Sequence, residues 1–415
     1  MKYGLIAEKL GHSFSKEIHN KLFDYSYELC EVSGDSFDSF MKKREFNGIN
    51  VTIPYKQMVI PYLDEISDDA RKIGAVNTIV NRDGRLVGYN TDFLGLYDLI
   101  NRQNIVLENK KVLILGSGGT SKTAFAVAES MNCSCVYRVS RKEGNGCITY
   151  EAAVKEHTDA DVIINTTPVG MYPNIAVSPI DLDLFTNLSG VVDVVYNPLN
   201  TKLICDAKRK GINAVGGLYM LVSQAARAAE KFLNTDVNSC KIEEIYKELY
   251  LSKQNIVLTG MPGAGKTTIG KILADMLGKT FVDTDELIVQ KENKTIPDIF
   301  SEVGEKGFRK IESEVIFDLG SVQNSIISTG GGAVLDYRNI DILKENGVVV
   351  FIDRDISSIV ATEDRPLTSN REALEKKYAE RYSIYCERCD HHVKIGNDAN
   401  ENARIISELI KEGNF

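Results

Sequence analysis

The sequence predicts an α/β fold, with parallel sheets covered by helices, built up in consecutive domains. Short apolar runs (KVLILG, DVIINT, GVVDVVY, NIVLTG, SIISTGG and GVVVFID) alternate with longer helix-like segments, and many end in glycine or a turn residue. The pattern starts afresh near Lys110 and again at Asn255, the second time after a charged helical stretch, CKIEEIYKELYLSKQ, that ends without a strand signal. A linker is therefore expected at residues 247–254. At 415 residues the chain also exceeds what one hydrophobic core usually supports, as a division into two or three domains requires.

Composition narrows the function. Apolar residues make up 43% and charged residues 26%, the balance of a folded, water-soluble protein. A formal charge of −9 argues against a nucleic-acid binder with a generally basic surface and favours small anionic metabolites met by local clusters. The start, MKYGLIAEKLGHSFS, lacks signal and transit patterns, and no apolar run reaches membrane-spanning length, so a cytoplasmic location is expected. Eight cysteines in so long a chain do not make a disulfide framework. Cys386 and Cys389 form a C-x-x-C pair followed by His391 and His392, all potential zinc ligands. The alternative is a late helix with one face packed in the core, and the spacing leaves metal binding open.

The motif with the sharpest chemistry lies in NIVLTGMPGAGKTTIGKILADML, a strand, then Gly260-x-x-x-x-Gly265-Lys266-Thr267, then a helix. This is a phosphate-binding P-loop in spacing and context. Gly260, Gly263, Ala264 and Gly265 let backbone N–H groups turn inward around the phosphates of ATP, with Thr268 opening the helix behind them. Lys266 reaches the β and γ phosphates, and Thr267 is a ligand for Mg²⁺. In FVDTDELI, Asp283 and Asp285 leave the next strand on one side.

From residue 255 to 415 the chain resembles shikimate kinase, on the P-loop, FVDTDELI, IPDIFSEVGEKGFRKIESE, STGGGAV, RPL and AERYSIY. The resemblance implies that Asp285 binds and orients or deprotonates the substrate hydroxyl, and that Asp283 helps hold Mg²⁺. It implies that Arg309 and Arg381 grip the substrate carboxylate, which suits a guanidinium fork. Gly330, Gly331 and Gly332 would let bare backbone approach the ring, and Arg365 would lie on a lid over ATP. Thr368 stands after RPL where the family usually has a second leucine.

The first 250 residues carry a strand, a Gly116-x-Gly118-Gly119 turn and a helix, the arrangement that sets a dinucleotide pyrophosphate at a helix N-terminus. Ser140, Arg141 and Lys142 end the following strand, where arginine accommodates the 2′-phosphate of NADP. This stretch resembles shikimate dehydrogenase. Ser13 and Ser15 of GHSFS would bind the substrate carboxylate, with Lys16 where proline is usual; Asn50, Thr52, Asn77, Tyr196 and Gln224 would complete the substrate site. Lys56 and Asp92 are the implied catalytic pair: reduction of a carbonyl needs a proton donor at its oxygen, and a lysine held by an aspartate serves. Asn165 and Thr166 of NTTPVGM, with Gly217 and Met220 of GGLYMLVSQAA, would line the NADP site.

The expected architecture is thus an N-terminal α/β substrate domain (1–100, completed by returning helices near 217–248), a Rossmann-like NADP domain (101–216), a linker (247–254) and a P-loop kinase domain with a parallel sheet (255–415). The resemblances imply consecutive reactions, NADPH reduction of 3-dehydroshikimate to shikimate and ATP phosphorylation of shikimate at its 3-hydroxyl. Two other readings are a quinate/shikimate dehydrogenase using NAD, and a ligand-sensing regulatory protein without turnover. Oligomeric state is not encoded in any motif.

Overall fold

A computed structural model describes residues 2–10, 13–360 and 370–413. The chain divides into two compact units. The first comprises Met1–Gly170, Ser178–Tyr196 and Asp206–Leu249, and the second Met171–Val177, Asn197–Cys205 and Tyr250–Phe415.

The first unit holds two sheets. Strands β1 (Tyr3–Ala7), β2 (Tyr27–Glu31), β3 (Gly48–Val51), β4 (Glu65–Ile66), β5 (Thr78–Arg82) and β6 (Arg85–Tyr89) lie in the order β2-β1-β3-β5-β6-β4. This sheet is mixed rather than parallel, because β5 runs antiparallel to both β3 and β6. The two-residue turn Asp83–Gly84, with φ of 54° and 89°, folds β5 back on β6 as an Asp-Gly hairpin does. Strands β7 (Lys111–Leu115), β8 (Cys135–Ser140), β9 (Cys147–Thr149), β10 (Val162–Asn165), β11 (Gly190–Asp193) and β12 (Asn213–Val215) form an all-parallel sheet, β12-β11-β10-β7-β8-β9. The order reverses between β7 and β10, and in such a sheet ligands bind beyond the carboxyl ends of the strands at that point. Val112–Leu115 and Val162–Ile164 are fully buried, as strands covered on both faces must be.

Helix Thr91–Arg102 packs on helix Leu218–Leu233 so closely that a β-carbon on Gly95 would lie 2.7 Å from the Met220 carbonyl oxygen. Asp98 receives Ser223 Oγ at 2.6 Å and the Arg227 guanidinium at 3.0 Å. These contacts bring the returning helix, with Met220 and Gln224, back to the first sheet.

The second unit carries β13 (Asn255–Thr259), β14 (Thr280–Asp283), β15 (Ser325–Ser328), β16 (Gly347–Arg354) and β17 (His391–Ile395) in the all-parallel order β14-β15-β13-β16-β17. The fold class is the expected one. The division between the units after Leu249 falls inside the expected 247–254, within helix Ser239–Lys253, whose Ile242, Ile245, Tyr246 and Leu249 are buried on one stripe. One boundary detail differs from the expectation. The second unit also includes Met171–Val177 and Asn197–Cys205, where the N–H groups of Ala176 and Leu199 donate to Glu345 and Asn346, each at 3.0 Å. Cys386 lies in the last turns of helix Arg371–Arg388 and Cys389 caps it, both packed against the core under β16, while His392 Nε2 meets Asp353 at 2.8 Å. Among the described residues no group of three His, Cys, Asp or Glu is arranged to hold a metal, and no helix is long and apolar enough to cross a membrane.

One buried group makes the first unit acid-sensitive. His19 is 1% exposed, stacked on Tyr27 and bonded to the Tyr25 hydroxyl. Burial pulls its pKa from 6.5 down to about 3, partly offset by the polar side chain of Asn50. The folded pKa lies below the unfolded one, so between these values the unfolded chain binds the extra proton. His19 therefore supports the fold fully above about pH 6.5, and that support is lost progressively as pH falls toward 3, by a few kcal/mol at roughly 1.4 kcal/mol per pKa unit. Urea midpoints of the first unit measured from pH 7 to pH 4 should decline, and His19→Phe should flatten the decline.

Candidate active sites of the two units

In the first unit a cavity of about 320 Å³ gathers every expected substrate residue: Ser13, Ser15, Thr52, Lys56, Asn77, Asp92, Tyr196 and Gln224. Asp92 stands in the first turn of helix Thr91–Arg102, capped by the Asn90 side chain. Lys56 Nζ meets Asp92 Oδ2 at 2.6 Å with both side chains largely withdrawn from solvent, and the N–H of Val76 donates to the Lys56 carbonyl at 2.8 Å. Asn77 is fixed by its carbonyl oxygen, which accepts from the Thr91 N–H at 2.7 Å and from the hydroxyls of Thr78 and Thr91. Its NH₂ is thus the group available to a ligand. Asn50 lines the same cavity, but its amide is occupied by the Tyr27 hydroxyl, the Asn77 carbonyl and Thr78. Tyr27, Thr78 and Thr91, which sequence reasoning missed, therefore hold the polar wall in place.

Gly217 and Met220 also line this cavity, joined by Thr120 from the first turn of helix Gly119–Ser130. A β-carbon at Gly217 would fall 2.1 Å from the Val194 carbonyl oxygen, so only glycine fits. At Gly116, φ is +122° and a β-carbon would lie 2.5 Å from Thr166 Oγ1, which donates to the Leu115 carbonyl at 2.6 Å. Gly118 caps helix Gly119–Ser130 without a side-chain bond, and a β-carbon on Gly118 or Gly119 would meet nothing within 4 Å. The first N–H groups of that helix thus face room for an anion. Arg141 and Lys142 are exposed just beyond β8, beside the Gly116 turn, whose N–H donates to the Val139 carbonyl at 2.8 Å; Ser140 Oγ accepts from the Lys142 N–H at 3.2 Å. Asn165 is fully buried, and its amide is spent on Asp193 and Thr167, so it shapes the turn after β10 from below.

In the second unit a cavity of about 520 Å³ is lined by Gly263, Gly265, Lys266, Thr267, Thr268, Asp283, Asp285, Arg309, Gly330, Gly331, Gly332 and Arg381. Gly260, Gly263 and Gly265 all have positive φ (143°, 81° and 99°), which only glycine adopts without strain, while Ala264 is buried beneath the loop. Lys266 Nζ donates across the loop to the carbonyls of Gly260 and Met261 at 3.0 Å. Thr267 Oγ1 donates to Asp283 Oδ2 at 2.9 Å, and Asp283 Oδ1 caps the helix that begins at Thr284 by accepting the Asp285 N–H at 3.0 Å.

Opposite them, β-carbons on Gly330 and Gly332 would lie 2.6 Å from Glu312 Oε1 and 2.2 Å from the Arg309 guanidinium. Bare backbone here makes room for the charged side chains. Arg309 Nη1 donates to Glu312 Oε2 at 2.6 Å, and Arg381, 2% exposed, donates from Nη1 to the Gly331 carbonyl at 3.1 Å. Burial pushes the Glu312 carboxyl up, against the pull of Arg309. Arg309 Nε and Arg381 Nη2 are buried and have no hydrogen-bond partner among the described residues. Buried donors in that state favour an incoming anion. Arg365 and Thr368 lie outside the described residues.

The two sites and the sheets that hold them define a chain of two enzymes, a dinucleotide-dependent reductase and a P-loop kinase. Residues 5–79 match the model of the shikimate dehydrogenase substrate binding domain, and 262–412 that of shikimate kinase. The shikimate dehydrogenase (NADP(+)) of Clostridium beijerinckii is 38% identical over 261 residues, 59% of this chain and 96% of that protein. The first part is similar to the solved chorismate mutase/shikimate 5-dehydrogenase fusion protein of Clostridium acetobutylicum (37% identity, TM-score 0.57, covering 60% of this chain and 96% of that one). It is also similar to Thermus thermophilus shikimate 5-dehydrogenase in complex with NADP(H) and shikimate (28%, TM-score 0.54, covering 60% and 99%). The chain belongs to the shikimate dehydrogenase family and carries a shikimate kinase domain after it, a bifunctional enzyme of the shikimate pathway.

Proposed function

We propose that the first unit reduces 3-dehydroshikimate to shikimate with NADPH, and that the second phosphorylates shikimate at its 3-hydroxyl with ATP and Mg²⁺. Bound NADPH supplies the hydride. As the carbonyl oxygen gains negative charge, Lys56 Nζ delivers a proton to it, held at the cavity wall by Asp92 at 2.6 Å. Ser13 and Ser15 bind the carboxylate, while Thr52, Asn77, Tyr196 and Gln224 receive the ring. Gly116, Gly118 and Gly119 cradle the pyrophosphate, and Arg141 with Lys142 meets the 2′-phosphate, which favours NADP over NAD.

In the second unit the carrying observation is the pair of buried, unpartnered guanidinium donors, Arg309 Nε and Arg381 Nη2, in one cavity with the P-loop. A carboxylate held there would direct a ring hydroxyl toward Asp285, which orients it and takes its proton. The oxygen-only pair Thr267 and Asp283, 2.9 Å apart, fits Mg²⁺ as a hard cation that keeps several waters. The ion, when bound, neutralises phosphate charge. Lys266 and the helix N-terminus behind it supply the rest of the positive field.

The test is one incubation of the purified chain with 3-dehydroshikimate, NADPH, ATP and Mg²⁺. Shikimate 3-phosphate is the expected product. Accumulation of shikimate alone would refute the kinase assignment, and no NADPH consumption would refute the reductase assignment.

A further inference from the structure

One cation in the kinase cavity has no part in the roles above. Arg354, the last residue of β16, lines the cavity with the P-loop. Its Nη1 lies 3.6 Å from where a β-carbon of Gly265 would stand, within contact range of the last P-loop glycine. Its Nη2 donates to Asn397 Oδ1 at 3.1 Å, just beyond β17. Its Nε is buried and has no partner, and among the described residues Arg354 forms no ion pair. Most guanidinium groups near a surface find a carboxylate; this one is fixed in direction by a neutral amide and keeps its charge unspent beside the loop.

Sheet order says which part of a nucleotide would meet it. The P-loop follows β13, the central strand. Asp283 ends β14, Asp285 follows in the next helix, and Gly330–Gly332 follow β15, strands that lie on one side of β13. The phosphate to be transferred must face that side. The nucleoside end of the triphosphate then extends to the other side, over β16 and β17, where Arg354 and Asn397 are.

We propose that Arg354 is a nucleotide-binding residue of the second unit, donating from its guanidinium to the α-phosphate of ATP and ADP, with Asn397 holding its orientation. This rests on the ATP reading given above and adds to it a contact made on the side away from the transferred phosphate. A charge-assisted hydrogen bond of this kind corresponds to a roughly tenfold or greater change in affinity.

Calorimetric titration of the full chain with ADP and Mg²⁺ tests it. Arg354→Ala should weaken ADP binding about tenfold or more, and Asn397→Ala should weaken it by a smaller factor in the same direction. Arg354→Lys, which keeps the charge without the fork, should recover part of the loss. The KM for ATP should rise in parallel while the KM for shikimate and the NADP-dependent activity stay at parent values, the latter showing that the chain is folded. ADP affinity in Arg354→Ala equal to the parent's would overturn the assignment and leave the ATP reading intact. A parent chain that does not bind ADP would overturn both.

Discussion

Replacing Lys56 with alanine is expected to lower kcat for NADP⁺-dependent shikimate oxidation by about two to four orders of magnitude, the usual contribution of a positioned general acid or base. The size follows from the geometry. Lys56 is the cationic half of a 2.6 Å pair with Asp92, set in a cavity otherwise lined by hydroxyls, amides and one further lysine, Lys9. Of the two lysines that line the cavity, Lys56 is the one paired with an aspartate there, which fixes its ammonium in the cavity wall. Asp92→Asn should also fall steeply, since the amide cannot hold the ammonium by charge, though it preserves shape. KM for shikimate should move far less than kcat, because Ser13, Ser15, Thr52 and Asn77 remain. ADP release with shikimate and ATP, assayed on the same preparation, should be unchanged, which shows that the chain is folded. A kcat within a few-fold of the parent would remove Lys56 from the proton path.

How much of this was legible beforehand depends on how locally each feature is determined. The P-loop could be read directly because its three positive-φ glycines, its lysine and its threonine all fall within the short segment 260–267, and the strand before them ends where the backbone must turn. The reductase cavity, assembled from segments as distant as Ser13 and Gln224, was readable only through the family pattern; no periodicity connects those positions. Other features follow from three-dimensional packing. The mixed first sheet depends on the Asp83–Gly84 turn, whose dipeptide signal was present in NRDGR but looks like any surface turn until β5 is known to pair with β3. The stretch CKIEEIYKELYLSKQ reads as helical and forms helix Ser239–Lys253, but that its Ile242, Ile245, Tyr246 and Leu249 face a core is set by packing. Asn165 stands in a cofactor motif, yet Asp193, on a neighbouring strand, takes up its amide. Arg354 ends an apolar run as an ordinary boundary charge would, and only the sheet order brings it to the P-loop.

Asp285→Asn is expected to reduce kcat for shikimate phosphorylation by about two to four orders of magnitude while leaving the Kd for ADP near the parent value. Asp285 is the second residue of helix Thr284–Glu292, and its own N–H is held by Asp283 Oδ1 at 3.0 Å. A β-carbon on Gly330 would lie 2.8 Å from Asp285 Oδ1 and 2.6 Å from Glu312 Oε1, so the carboxylate reaches the bare backbone of the glycine run. An acceptor acid whose carboxylate is bound by Arg309 and Arg381 would meet Asp285 at its hydroxyl, on the side from which the terminal phosphate arrives. Asparagine keeps the size and a hydrogen bond but cannot take the proton. The nucleotide contacts proposed above lie elsewhere in the cavity, on Gly263, Gly265, Lys266, Thr267, Thr268 and Arg354, so binding of ADP should not register the change. The outcome separates two roles for this carboxylate. Loss confined to kcat identifies a group that acts on the acceptor hydroxyl. A matching rise in the Kd for ADP would instead mean that Asp285 works through Asp283 and Thr267, as part of the support for the phosphate loop.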